Sequence, residues 1–239
     1  MIPDAWDLES REGALRLARH LLETGAVHFD PKHPFRYTDD LVSPVRLDAR
    51  HLLSYPKIRK EVICFACEMI NREIGDEGQT GGQELDAIAA GEGAGVPFAT
   101  LIAERMNLPL VIVRKDTPEG TVHPKDRIVG DIEAGWRVLL VEQLATDGHR
   151  KVRFIEPLRK AGCDVRDVFV LFQYGIFDSI HEHLSGLGIT MHALCTWWDL
   201  LEVANGGSYL PEEALGEIQA YLHDPRRWCA QHAKQARVA

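Results

Sequence analysis

Short, almost wholly apolar runs alternate with stretches of helical period through the middle of the chain, and nothing else in the sequence restricts its fold so strongly. The runs "DAIAAG", "LPLVIVRK", "RVLLVE", "DVFVLFQYGIF" and "GITMHALCT" show no polar alternation, as strands buried on both faces require. Between them, "VPFATLIAERM", with Pro97 near its first turn, and "RKVRFIEPLRKAG", ended by Gly162, read as helices. This pattern predicts an α/β chain: a central, mostly parallel sheet covered by helices on both faces. Right-handed crossovers then bring the βα turns to one edge of the sheet.

The flanks read differently. Apolar residues at helical spacing over Leu8–Glu23, with Gly25 beyond, predict a first helix, and Ile58–Ile74 predicts a second, closed by the loop Gly75–Gly82. Between them, "HFDPKHPFRYTDDLVSPVRLDARHLLSYP" is rich in Pro and Asp and predicts irregular chain with short strands, a cap beside the main sheet. A loop is expected over Asp116–Gly135, a helix near Ile180–Leu184 and a closing helix from Pro211. The 239 residues suit a single domain. Its parts are expected as N-terminal helices and hood (1–75), α/β core (83–204) and C-terminal helical extension (205–239).

A formal net charge of −9 argues against a general nucleic-acid or anionic-membrane binder, so any anion site must be local. The start of the chain has no secretory pattern and no stretch approaches a membrane span, so a cytoplasmic protein is expected. Cys64, Cys67, Cys163, Cys195 and Cys229 are odd in number and scattered, which fits reduced thiols.

Ligands of open parallel sheets gather at the carboxyl ends of the strands, and three such ends carry chemistry. "AAGEGAGVP" supplies Gly91, Gly93 and Gly95, which allow backbone to approach a ligand closely. Its spacing is not that of a dinucleotide fingerprint, and no phosphate-loop lysine follows; a tight strand-to-helix turn is the alternative reading. "VRKDTPEG" presents Arg114 and Lys115, suited to a polyphosphate or simply solvated. "VEQLATDGHRK" ends a buried strand in Glu142 and continues through a polar turn into a helix, whose backbone N–H groups suit a phosphate. Glu142 either accepts bonds from the vicinal hydroxyls of a phosphorylated sugar or pairs with a nearby cation while Thr146 or Asp147 caps the helix.

Taken in order, these segments resemble the type I phosphoribosyltransferases, whose signature is an apolar strand, two acids and a small-residue phosphate loop; here it stands as "VLLVEQLATDGHR". The resemblance narrows to the orotate phosphoribosyltransferases through Ser43-Pro44, Asp48 and Arg50, the strand "PLVIVRK" and the segment "LCTWWDLLEVA", and spans about Phe35 to Ala204. It implies transfer of 5-phosphoribosyl from 5-phosphoribosyl 1-diphosphate (PRPP) to orotate with Mg²⁺, in a homodimer, with no protein side chain dedicated to the metal. It further implies that Glu142 and Gln143 meet the ribose and that Thr146, Asp147, Gly148, His149 and Arg150 surround the 5′-phosphate. Arg114, Lys115 and the turn Gly91, Gly93, Gly95 would meet pyrophosphate, and Lys125 would be the cation of the mobile loop.

Gln143 stands where the family has its second acid, His149 and Arg150 replace small residues, and Asp39-Asp40 replaces Ser-Gly near the base pocket. The loop offers His123 and Lys125 in an order reversed from the family's. Besides orotate transfer, these departures leave open a non-catalytic nucleotide-binding protein on the same fold, or transfer to another base. Cys64 and Cys67 form a C-x-x-C inside an apolar helix pattern and read as packing; His181 and His183 read as surface; Trp197 and Trp198 read as packing or a dimer contact.

Overall fold

The computed structural model describes residues 8–37, 42–75, 84–115, 124–146, 149–176, 184–207 and 209–238. In chain order its elements are α1 (Leu8–Glu23), β1 (Val27–Phe29), β2 (Phe35–Arg36), β3 (Val42–Ser43), β4 (Val45–Leu47), α2 (Pro56–Glu73), β5 (Ala87–Gly91), α3 (Val96–Met106), β6 (Leu110–Val113), β7 (Ile128–Val129), β8 (Val138–Ala145), α4 (His149–Lys160), β9 (Asp167–Gln173), β10 (Thr190–Thr196), α5 (Trp197–Asn205), α6 (Glu212–His223), α7 (Pro225–His232) and β11 (Arg237–Val238). They fall into two compact units, residues 60–194 and residues 1–59 with 195–239.

The first unit is built on the six-stranded sheet, in the order β10-β9-β8-β5-β6-β7. β6, β5, β8 and β9 pair in parallel, and β7 lies antiparallel on the edge of β6. Every residue of β5 and β9 is buried, the physical reason their sequences do not alternate. On one face Ala87, Val113, Val138 and Leu140 pack with Phe154, Ile155 and Leu158 of α4. From β5 the chain crosses through α3 to β6 on one side, then returns past β5 to start β8 on its other side and continues to β9. The strand order therefore reverses between β5 and β8, and a crevice opens at the carboxyl ends of such a pair.

Within the loop expected over Asp116–Gly135 the structure places a 3₁₀ turn, Pro124–Arg127, and the short strand β7. Two strand residues are too few to leave a periodic signal. The helix expected near Ile180–Leu184 lies, up to residue 183, outside the described residues.

At the amino ends of the same strands sits a buried charge cluster. Arg137, just before β8, pairs with Asp167 of β9 at 3.2 Å. The two ring nitrogens of His192 lie 2.9 Å from Asp167 Oδ1 and 2.9 Å from Glu73 Oε2. Burial alone would lower the His192 pKa, but hydrogen bonds to Asp167 and Glu73 and their charges outweigh it and raise it from 6.5 to about 9. A raised folded-state pKa means that the folded chain holds a proton the unfolded chain releases. This stabilisation is complete below about pH 6.5 and is lost as pH rises through about 9. Urea unfolding across that window is expected to show a falling midpoint, with a flatter profile in His192→Gln; a wild-type midpoint that holds steady up to pH 9 would contradict the assignment.

In the second unit α1 and α5 are joined by an Arg11–Glu202 ion pair at 2.6 Å. A Thr196/Asp199 capping box starts α5. β1 pairs with β4, and β2 carries β3 on one side and the C-terminal β11, parallel to it, on the other. The N-terminal segment and the C-terminal extension thus share one unit.

Candidate active site

β8 carries Glu142 and Gln143 near its carboxyl end, beside the reversal of strand order. Glu142 follows Val138 and Leu140 on the pleat face that packs against α4. Its Oε1 accepts the backbone N–H of Gly91, the last residue of β5, at 2.9 Å. Its Oε2 lies 3.3 Å from Lys151 Nζ, which also donates to the Leu144 carbonyl at 2.7 Å. The carboxylate is therefore fixed across the two strands between which the topology reverses. The side chains of Lys151 and Glu142 are 6% and 12% exposed.

The glycines following β5 are dictated by this carboxylate. A Cβ on Gly91 would fall inside 3.0 Å of both Glu142 Oε1 and the Phe154 ring, and one on Gly95 would lie 3.1 Å from Glu142 Cδ. Gly93, at φ +133°, occupies backbone space that side chains rarely adopt. A Cβ there would sit 3.3 Å from Lys115 Nζ, so the Lys115 ammonium lies over the turn.

Cations from two further elements gather beside it. The Lys115 backbone N–H donates to Glu92 Oε2 at 3.0 Å. Arg127 donates to the carbonyls of Arg114 and Lys115 at 2.8 and 3.0 Å, and Arg153 to that of Lys115 at 2.7 Å. Two guanidinium groups thus brace the strand end from which the exposed Arg114 and Lys115 project. On a chain of net charge −9 these residues make the local basic shelf that an anion site demands. The segment 144–151 passes from β8 into α4, which His149 and Arg150 open, presenting backbone N–H groups at its start. Thr146 is half-buried, and Asp147 and Gly148 lie outside the described residues.

The structure thus brings together Gly91, Gly93, Gly95, Arg114, Lys115 and Glu142. Gln143 leaves the opposite pleat face and is 6% exposed. Lys125 lies in the same 3₁₀ turn as Arg127, and its Nζ donates to the Ile132 carbonyl at 3.4 Å. Asp39, Asp40, His123, His181 and His183 lie outside the described residues. Sequence reasoning missed Lys151, Arg127, Arg153 and Phe154. The one signal for Lys151 was its i,i+3 spacing to Phe154, which puts both on the helix face turned to the sheet.

Elsewhere, Cys67 is buried, and burial pushes its thiol up to about 11; Cys64 donates to Glu68. Trp197 is fully buried, whereas Trp198 is 43% exposed. Among the described residues no group of three His, Cys, Asp or Glu side chains is placed to hold a metal ion, and no helix is long and apolar enough to cross a membrane. The Glu142 carboxylate near the end of β8 fits a hard cation that arrives on substrate oxygens and keeps its waters, as Mg²⁺ does.

This parallel sheet, with Glu142, a glycine turn and a basic shelf at its strand reversal, has the type I phosphoribosyltransferase fold, as solved structures show. Leishmania donovani UMP synthase aligns with a TM-score of 0.73 at 26% identity, covering 89% of this chain and 42% of that one. The orotate phosphoribosyltransferase of Aeropyrum pernix aligns at 0.65 and 25%, covering 79% and 99%. More specifically, the chain belongs to the orotate phosphoribosyltransferase family. It is 42% identical over 228 residues to the Roseobacter denitrificans orotate phosphoribosyltransferase, with 95% of this chain and 97% of the relative aligned. It is 41% identical to that of Dinoroseobacter shibae, with 98% and 100% aligned. No family model matches the sequence.

Proposed function

We propose that the protein transfers 5-phosphoribosyl from PRPP to orotate, giving orotidine 5′-monophosphate and pyrophosphate, a step of pyrimidine biosynthesis. The observation that carries this is Glu142, held across the strand reversal by Gly91 and Lys151, with the Lys115 ammonium over the neighbouring Gly93 turn. Glu142 accepts the ribose hydroxyls. The 5′-phosphate is taken by the residues Thr146, Asp147, Gly148, His149 and Arg150, with the backbone N–H groups at the start of α4. Pyrophosphate lies against Arg114, Lys115 and the Gly91–Gly95 turn.

A nitrogen of orotate attacks C1 as the bond to pyrophosphate breaks, so positive charge grows on the ribose ring and negative charge on the leaving oxygens. The protein needs no nucleophile of its own; its work is to orient the reactants and neutralise these charges. Glu142 faces the cationic ring, and Arg114 and Lys115 face the leaving group. Gln143 adds no second charge, so the ring is matched by a single carboxylate. Mg²⁺, carried on substrate oxygens, supplies further neutralisation of the leaving pyrophosphate.

Five free cysteines support a cytoplasmic setting, and the family resemblance supports a homodimer, which light scattering checks. The purified protein with PRPP, orotate and Mg²⁺ is expected to consume orotate absorbance in proportion to the PRPP supplied. A folded sample that leaves orotate unchanged rejects the reading.

A further inference from the structure

We infer that Lys151 is a positioning residue for the ribose-5-phosphate half of the donor, fixing the ribose carboxylate and tying the start of α4 to the end of β8; this rests on the function proposed above. The placement of Lys151 is unfavourable for stability alone. It is a cation in the first turn of α4, where the helix dipole disfavours positive charge, and that turn contains no acidic residue. Its side chain is 6% exposed, so it is also desolvated. An apolar side chain of similar length would suit the position better if packing were its only task.

Two of its contacts suggest the task. One N–H donates to Glu142 Oε2 at 3.3 Å, while Gly91 N–H takes Oε1 at 2.9 Å. A carboxylate offers about four acceptor directions, so two are used in setting its plane and about two are left for a pair of vicinal hydroxyls. The other contact, 2.7 Å to the Leu144 carbonyl, ties α4 back to the end of β8. One ammonium thus both aims the carboxylate and ties the start of α4 to the end of β8.

The test compares wild type, Lys151→Met and Lys151→Arg in steady-state kinetics with PRPP and orotate, and in calorimetric titration with ribose 5-phosphate. Lys151→Met is expected to raise KM for PRPP and weaken ribose 5-phosphate by about tenfold or more, the scale of one charge-assisted contact, while KM for orotate stays within about twofold. Lys151→Arg keeps the charge and shows the same split at smaller size. A general structural defect would move both KM values together. Wild-type PRPP KM and wild-type ribose 5-phosphate affinity in both variants overturn the inference, as does an equal rise in the two KM values. If Lys151→Met does not fold, the Arg variant decides by the same criteria. If wild type leaves orotate untouched, the proposed function falls, and the ribose 5-phosphate titrations alone decide whether Lys151 organises the site.

Discussion

Exchange of Glu142 for Gln is expected to lower kcat/KM for PRPP by about a hundredfold or more, the scale seen when one preorganised electrostatic contact to a transition state is removed. Gln keeps the shape and can still accept the Gly91 N–H. Where a motif carries two acids, the second softens the loss of the first; here Gln143 stands in the second place, and Glu142 has no such reserve. The same change leaves the Lys151 ammonium, 6% exposed, without its counter-charge. Removing one member of a buried pair costs about 3–5 kcal/mol, so the urea midpoint falls as well. Pairing Glu142→Gln with Lys151→Gln separates the two effects: stability returns in part, because no charge is left stranded, while turnover does not. A single variant with more than about a tenth of wild-type kcat/KM would remove Glu142 from the ribose.

Much of the core was legible because its strands are buried on both faces, and such burial writes itself into sequence as unbroken apolar runs. β5, β8 and β9 were each located this way, and the glycine turn and basic strand end were placed at the carboxyl edge by the crossover rule. What escaped was whatever depends on partners distant in sequence. β7 and β11, of two residues each, are strands only because β6 and β2 lie beside them. Lys151 looked like one more member of a basic helix until the helix was folded back over Glu142. The two readings of Glu142, sugar acceptor or partner of a cation, proved not to exclude each other: the pair with Lys151 is in place, and it leaves acceptor directions unspent.

Gln143 illustrates the same limit from the other side. Read linearly it is the missing neighbour of Glu142, differing only in charge. In the pleated strand it leaves the opposite face and is 6% exposed. The positions of an acid pair are therefore unlike in environment. A carboxylate at 143 would have to be desolvated, whereas an amide carries no charge to bury. The substitution thus relieves the strand end of a buried charge as it subtracts one from the site.

Gly91→Ala is expected to be as damaging as the loss of Glu142 itself, though it removes no functional group. The new methyl would fall inside 3.0 Å of Glu142 Oε1 and of the Phe154 ring, and neither neighbour is free to yield. Phe154 is 6% exposed in the packed face of α4, and the carboxylate is held by Lys151 and by the Gly91 N–H. Overpacking of this kind costs about 1–3 kcal/mol of stability. The larger effect is on chemistry: displacing the carboxylate by about 1 Å from its working position is worth about a hundredfold in rate. Gly95→Ala, whose Cβ would reach only 3.1 Å from Glu142, should cost less, and Gly216→Ala, in open space on α6, should leave turnover unchanged. Stability and kcat measured across the three variants therefore follow the distance to Glu142 rather than the loss of glycine as such. Equal turnover in Gly91→Ala and Gly216→Ala would mean that the closeness of β5 to the carboxylate has no part in the reaction.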